Sequence, residues 1–258
     1  MFSFFPKARL LDSSDAEQLQ HCFQWLLDHF DHNYFDQHTQ LIQPIRSFFP
    51  DRADNELDMA QALSARIISY AGLAHWPFYL VPPQLYTPKQ PALLQLNVQS
   101  RQQAQITAQA LSANKSIDSF LPNLDISYSS AMMKKPMDLV GSMSKNIAQH
   151  VLFQSQLVPP SGPESFDACA EMLAIMMGFG IFIANSAYTF RGSCARCYDP
   201  QANRSAALSE DESIYCLALF AHHKNISDKE ACAQLKAYLR PSFKKARKQI
   251  KRELSVAA

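Results

Sequence analysis

The chain carries a small group of residues, close together in sequence, whose types could support hydrolysis or nucleophilic catalysis. Asp167, Cys169 and Glu171 alternate along one predicted helix, and His150 lies on the predicted helix before it. A cysteine nucleophile needs a histidine or a positive environment to form its thiolate, while carboxylates and a histidine can bind a divalent metal. Because Cys169 belongs to an apolar helix, the sequence favours a core cysteine over a nucleophile.

A second motif with chemical potential is the C-x-x-C of Cys194 and Cys197, which stands in a predicted loop. A structural zinc site needs two further ligands, and the nearest ones, Cys216, His222 and His223, lie on a predicted helix without a matching spacing. A redox site would place the motif at the start of a helix that follows a strand. A small zinc-binding or redox module is therefore an alternative, and reduced thiols are the simpler interpretation.

Two clusters of ionisable residues have ordinary structural explanations. His29, His32 and His38 are close in sequence, but no carboxylate or cysteine at ligand spacing completes a metal site. The last predicted helix, residues 240–252, is rich in lysine and arginine, which a solvated face explains more simply than a phosphate or anionic-membrane contact. With a net charge of +1 and no aromatic stacking pattern, we expect no nucleic-acid binding.

The composition describes a globular protein without an export signal or a membrane span. Its 258 residues are 47% apolar and 18% charged, which suits a large core in one domain. The first residues lack the basic start and the apolar run of a signal peptide. No uninterrupted apolar run is long enough to cross a bilayer. We therefore predict a cytoplasmic protein in which the six cysteines are mostly reduced.

Caps, prolines and apolar periodicity predict a mainly helical chain with a few short strands. Helices are predicted for residues 16–30, 57–71, 137–153 and 209–223, for a stretch from residue 164 to either 178 or 187, and after residues 227 and 240. Strands are predicted for residues 78–81, 93–98 and 126–130, while residues 99–110 fit either type. The most apolar segment, Met172–Ala187, contains two glycines, an asparagine and a serine, and is predicted to be a buried core helix.

Six stretches, by their order and spacing, resemble a bacterial family of zincin-like proteins of uncharacterised function. They are Phe48–Asp51, Pro136–Val140, Met177–Asn185, Leu208–Glu210, Tyr215–Phe220 and Leu239–Phe243. Members of that family look like a leader strand, a helix with the motif H-E-x-x-H, a loop, and a second helix with an acidic ligand. The resemblance implies that Ile126–Ser130 is the leader strand and that the site helix starts near Met137.

The resemblance places the zinc motif on Lys145–Gln149, where all three of its chemical residues are replaced. Lys145 and Gln149 stand at the two histidines, and Asn146 stands at the glutamate. Histidines at i and i+4 hold one zinc ion, and the glutamate acts as general base on the metal-bound water. A lysine ammonium repels zinc, an asparagine cannot take the proton, and a glutamine is a weak neutral ligand. The resemblance thus implies a degenerate site, and we expect no cofactor.

The acidic positions of the family motif survive as Asp167, at the third ligand, and Glu171, at a supporting acid. His150 does not replace the lost imidazoles, because one residue is about 100° around a helix. A buried carboxylate needs a cation or a proton. We therefore predict a vacated pocket in which the acids are partly buried and the Lys145 ammonium approaches Asp167 or Glu171 in place of zinc.

We expect an α+β fold, predominantly helical with a small mixed sheet and a zincin-like core. One domain would extend over residues 1–258, with a helical part to residue 75 and the strand and site-helix core from residue 76. The leading expectation is a non-catalytic pseudo-metallopeptidase that keeps a cleft at Lys145, Gln149, His150, Asp167 and Glu171 for an unknown peptide or protein. The alternatives are a residual metal-dependent hydrolase that uses the two acids and the histidine, and a zinc or redox module at the C-x-x-C motif.

Overall fold

The computed structural model describes residues 9–94, 123–187 and 204–257, which form a mainly helical α+β structure. Its helices are α1 (Ser13–His29), α2 (His32–His38), α3 (Glu56–Tyr70), α4 (Pro136–Ser155), α5 (Phe166–Ala174), α6 (Gly180–Asn185), α7 (Glu210–His223), α8 (Asp228–Ala233) and α9 (Arg240–Ala257). Its strands are β1 (Phe78–Leu80) and β2 (Leu124–Ile126). Short 3-10 helices occupy Ser130–Lys134, Pro163–Ser165 and Ala237–Leu239.

The sheet consists of β1 and β2, which pair in parallel with Phe78 opposite Leu124. Within the described residues the predicted mixed sheet is therefore a parallel pair. The leader strand expected at Ile126–Ser130 is wrong by several residues, because β2 ends at Ile126. Just after this end, the carbonyl of Val81 accepts a hydrogen bond from the Ser127 hydroxyl at 2.8 Å. A side-chain donor thus takes the place of a backbone N–H of the strand pair.

Only part of the remaining strand predictions falls within the described residues. Residues 93 and 94 have no regular structure. The rest of the strand predicted for residues 93–98, together with the ambiguous segment 99–110, lies outside the described residues. The C-x-x-C motif of Cys194 and Cys197 lies outside them as well.

Helix starts follow local capping signals. α1 begins at Ser13, earlier than predicted, because Asp12 accepts the backbone N–H of Asp15 at 2.9 Å and is the true cap. α7 begins at a capping box in which Ser209 and Glu212 exchange hydrogen bonds, as its sequence predicts. α4 has Pro136 in its first turn, where the missing N–H of proline is tolerated. The helix predicted for residues 137–153 is confirmed, with slightly extended ends.

One long buried helical stretch is built from α5, a π-helical turn at Ile175–Phe179, and α6. The interruption is at Gly178, whose φ of 102° and close approach to the backbone of Gln40 exclude a side chain. Residues 172–187 are all buried, which confirms the predicted core position, but the helix is interrupted at Gly178 and ends at Asn185. The stretch Pro163–Asn185 is also long and apolar enough to cross a membrane, but 83% of its most apolar window is buried inside the protein.

The core joins the N-terminal and C-terminal helices into one apolar cluster. α4 packs against α5 and α6, and α7 packs against α1, α6 and α9. Aromatic side chains fill the contact between α2 and α7, where the rings of Phe35 and Phe220 meet edge to face at 5.7 Å. This packing brings together α4, α5 and the chain just before α7, which carry most of the candidate site residues.

Candidate functional site

Glu171, on α5, is the centre of a buried cluster of charges. Its side chain is 0% exposed, and both carboxylate oxygens accept hydrogen bonds. Oε1 accepts from the Arg204 guanidinium at 2.5 Å and from the backbone of Ala207 at 2.8 Å, and Oε2 accepts from the backbone of Leu208 at 3.1 Å. The Lys145 ammonium lies 3.1 Å from Oε1. Two cations and two amides thus satisfy a carboxylate without access to water.

Arg204 is the site residue that the sequence did not reveal. Its guanidinium also donates to Ser186 Oγ at 2.8 Å and to the carbonyl of Ile183 at 3.1 Å, while its backbone N–H donates to Asp138 at 3.0 Å. The planar fork of arginine suits such a set of acceptors. No local pattern marks Arg204, which stands 33 residues after Glu171. The available signal was Glu171 itself, since an acid within an apolar helix requires a cation.

Gly141, on α4, leaves the space that Arg204 occupies. A Cβ at this position would lie 3.0 Å from Ser186 Oγ and 3.2 Å from Arg204 Cδ. Glycine inside a helix is less favourable than alanine by about 1 kcal/mol. Its presence here is explained by the close approach of the arginine side chain to the helix backbone.

Lys145 lies beside both acids, as predicted. Its ammonium is 3.1 Å from Glu171 and 3.8 Å from Asp167, and it donates to the carbonyl of Ser205 at 3.3 Å. The side chain is only 9% exposed. The predicted approach of Lys145 to the acids is therefore confirmed by these contacts. Its neighbour Asn146 is partly exposed on the same helix.

Arg204 and Lys145 occupy the space around Glu171, where the sequence predicted a vacated pocket. Asp167 also differs from the expectation of partial burial, since its side chain is 58% exposed. It stands in the first turn of α5, at the edge of the contact with α4, where water reaches it. Gln149 donates to Asp167 at 2.7 Å. Lys145 and Gln149, one turn apart on α4, therefore approach the same carboxylate.

His150 belongs to a different environment from the acids. Its Nε2 lies 3.1 Å from the carbonyl of Asp125 on β2, and its ring meets the edge of Phe78 at 5.6 Å. Burial lowers the pKa of His150, although the contact with Asp125 opposes this shift. Within the described ranges no hydrogen bond or ion pair joins His150 to Asp167 or Glu171. The structure thus brings Lys145 and Gln149 to the acids and leaves His150 near the sheet.

A pocket of about 220 Å³ lies beside Gln149 and His150. Three aromatic rings and a proline give it apolar walls, and two amides, a histidine and an ion pair supply polar groups. The ion pair joins Lys89 and Asp125 at 2.5 Å. Among the described residues, the lining consists of Tyr86, Lys89, Pro91, Asn123, Asp125, Gln149, His150, Phe153 and Phe166. This arrangement suits a ligand group that is apolar in part and also forms hydrogen bonds.

The acids of this region do not fit a zinc site as they stand. Over residues 9–94, 123–187 and 204–257, no three histidine, cysteine, aspartate or glutamate side chains converge as metal ligands. Both oxygens of Glu171 are engaged by cations and amides, whereas zinc requires free carboxylate, imidazole or thiolate donors. Asp167 is the acid with an exposed carboxylate, and its neighbours are an ammonium and an amide.

Comparison with known proteins gives no further identification. No model of a protein family, no curated protein and no solved structure matches this chain. The resemblance to zincin-like proteins therefore depends on the sequence stretches described above. The geometry of the site therefore carries its interpretation. Glu171 is paired with Lys145 and Arg204, and an open pocket lies nearby, beside Gln149 and His150.

Proposed function

We propose that this protein is a non-catalytic binding protein, and that the pocket beside Gln149 and His150 holds part of a peptide or protein partner. The observation that carries the proposal is that both carboxylate oxygens of Glu171 already accept hydrogen bonds from protein donors. Arg204, Lys145 and the amide of Ala207 surround Oε1, and the amide of Leu208 donates to Oε2, so this buried acid faces cations and backbone donors in place of a metal or water. The neighbouring pocket, by contrast, remains open to a ligand.

We also propose that the scaffold derives from a zincin-like peptidase. In such enzymes two histidines one turn apart on a helix, together with an acid from a second helix, hold the zinc. Lys145 and Gln149 have this relation on α4, and both approach Asp167 of α5. The Lys145 ammonium would then supply the positive charge that the metal once supplied. The contacts of both side chains with Asp167 support the sequence resemblance.

The size of the pocket favours part of a larger ligand over a complete small molecule. Pockets for drug-sized ligands have volumes of about 300–1,000 Å³, whereas this one measures about 220 Å³. Such a volume suits one large side chain of a peptide. The rings of Phe153 and Phe166 would contact its apolar part, and the amides of Asn123 and Gln149 would bond its backbone.

A peptide-binding measurement tests the proposal. A library of fluorescent, unstructured peptides with varied aromatic and aliphatic residues is screened by fluorescence polarisation against the purified chain. Phe153→Ala should weaken the best binders at least tenfold, which corresponds to the truncation of an anchor contact worth about 1.4 kcal/mol. The matched control is Phe48→Ala, which truncates a partly buried ring that packs on Tyr70 away from the pocket. Absence of binding, or equal weakening by both variants, contradicts the proposal.

A second measurement separates this proposal from the residual hydrolase. A mixture of fluorogenic peptides is incubated with the chain and zinc, with and without a chelator. The proposed function predicts no cleavage that the chelator abolishes. Chelator-sensitive cleavage that is lost in Asp167→Asn would instead support a hydrolase that uses the exposed acid.

A further inference from the structure

Two cysteine sulfurs meet in the core between α1 and α5. Cys22 Sγ and Cys169 Sγ lie 3.6 Å apart, and the two helices pack against each other. Both are free thiols, with Cys22 9% exposed and Cys169 1% exposed. A disulfide has an S–S distance of about 2.05 Å, so the sulfurs would need to approach by about 1.5 Å. Side-chain rotation with a small shift of the helices can supply such a movement.

The two thiols are chemically unequal. The hydrogen bond with Cys169 lowers the pKa of Cys22, although burial opposes this shift. The same contact, together with burial, raises the pKa of Cys169. Burial also raises the pKa values of Cys216 and Cys232. Cys22 is also the more exposed of the two thiols, at 9% against 1%, so it is the one that a peroxide reaches first.

We propose that Cys22 and Cys169 form a reversible disulfide when the protein meets a hydroperoxide. The Cys22 thiolate attacks a peroxide oxygen, an S–O bond forms, the O–O bond breaks, and the leaving hydroxide or alkoxide takes a proton from solvent. Cys169 then loses its proton and attacks the sulfenic sulfur of Cys22. The S–S bond forms, the S–O bond breaks, and the leaving hydroxide takes up that proton as water. The thiols lose two electrons, which the peroxide gains.

The disulfide would join the N-terminal helix to the helix that carries the buried acid. Cys169 lies two residues from both Asp167 and Glu171 on α5. Oxidation would therefore fix α5 against α1, and a dithiol reductant would release it. The inference does not rest on the proposed binding function: neither cysteine is among the described residues that line the pocket, although Phe166 of α5 is.

The test oxidises the purified full-length chain with hydrogen peroxide and maps the products. Remaining thiols are blocked with N-ethylmaleimide in denaturant before trypsin digestion. Complete digestion leaves Cys22 as the only cysteine of peptide 10–46, and Cys169 as the only cysteine of peptide 146–191. The expected product is a linked pair of these peptides, lighter by two hydrogens than their sum. Dithiothreitol should separate the pair.

Variants and an unfolded control decide the outcome. Cys22→Ser should abolish the linked pair, whereas Cys232→Ser, which removes a comparably buried thiol on α8, should leave it unchanged. The wild-type chain is also oxidised in guanidinium chloride, where selectivity for this pair should disappear. Three results would overturn the proposal: maleimide on both Cys22 and Cys169 after oxidation, sulfinic acid at Cys22 without a link, or equal yields from the folded and unfolded chains.

Discussion

Glu171 stabilises the fold only while its cations remain in place. Glu171→Gln leaves the buried Arg204 guanidinium without its charge partner, and breaking a buried pair in this way costs about 3–5 kcal/mol. We expect a loss of that size in the free energy of unfolding, measured by urea titration. The control Asp167→Asn alters a carboxylate that is 58% exposed and should change stability by less than about 1 kcal/mol. Equal losses in the two variants would contradict the buried-cluster description.

His150 makes stability depend on pH on the acid side. Because burial lowers the pKa of His150, the unfolded chain binds the proton before the folded chain does. The contribution is complete above the ordinary histidine pKa of about 6.5 and is lost as the pH falls from there toward the folded pKa. Urea titrations above and below this pH should show a smaller decrease for His150→Asn than for the wild type.

The decrease in stability with falling pH should not disappear completely in His150→Asn. Burial also lowers the pKa values of His222 and His223. A decrease with falling pH that is unchanged in His150→Asn would mean that His150 does not contribute. An increase in stability on acidification would reverse the sign expected from all three shifts.

At the scale of elements, the facing surfaces of α4 and α5 should bind zinc once two histidines are introduced on α4. Lys145 and Gln149 both approach Asp167, so histidines at these two positions would add two imidazoles beside a free carboxylate. The double variant Lys145→His with Gln149→His should bind zinc, measured by metal analysis after dialysis and by calorimetry. Adding Asp167→Ala should weaken that binding.

Two comparisons make the zinc test specific. The matched variant Lys145→His with His150→Gln keeps one new imidazole but lacks the i, i+4 pair, and should bind no more zinc than the wild type. If the first double variant also fails to gain zinc, the two helices do not have the relation expected of a metallopeptidase-like site. The proposed descent of the scaffold would then lose its structural support.

The accuracy of the sequence predictions at this scale depends on how local each signal is. The start of α7 was predictable because its capping box, Ser209 and Glu212, lies within one turn. The predicted position of β2 was wrong because the end of this strand depends on a hydrogen bond to Val81, which is distant in the chain. A strand of three residues has too few positions to show an alternating pattern, so only its pairing partner defines it.

At the scale of the whole molecule, the site joins parts of the chain that local reasoning treats separately. The approach of Lys145 to the acids could be predicted, because the zincin-like resemblance put Lys145 at a metal-ligand position and a buried acid needs a cation. The partnership of Arg204 with Glu171 could not, because it forms only when the chain before α7 reaches α4 and α5. The pocket likewise combines residues from the segment after β1, from the region of β2, and from α4 and α5.

The hydrogen bonds of Ala207 and Leu208 to Glu171 have a consequence for solvent exchange. Ala207 has an exposed side chain in an irregular stretch, where amide protons ordinarily exchange rapidly with water. Its N–H nevertheless ends on a carboxylate that water does not reach. Both amides should exchange as slowly as those inside α4, and Glu171→Gln should accelerate them selectively in deuterium-exchange NMR. The kinetics of two backbone protons would thus report each opening of the charged cluster, in a stretch of chain without regular secondary structure.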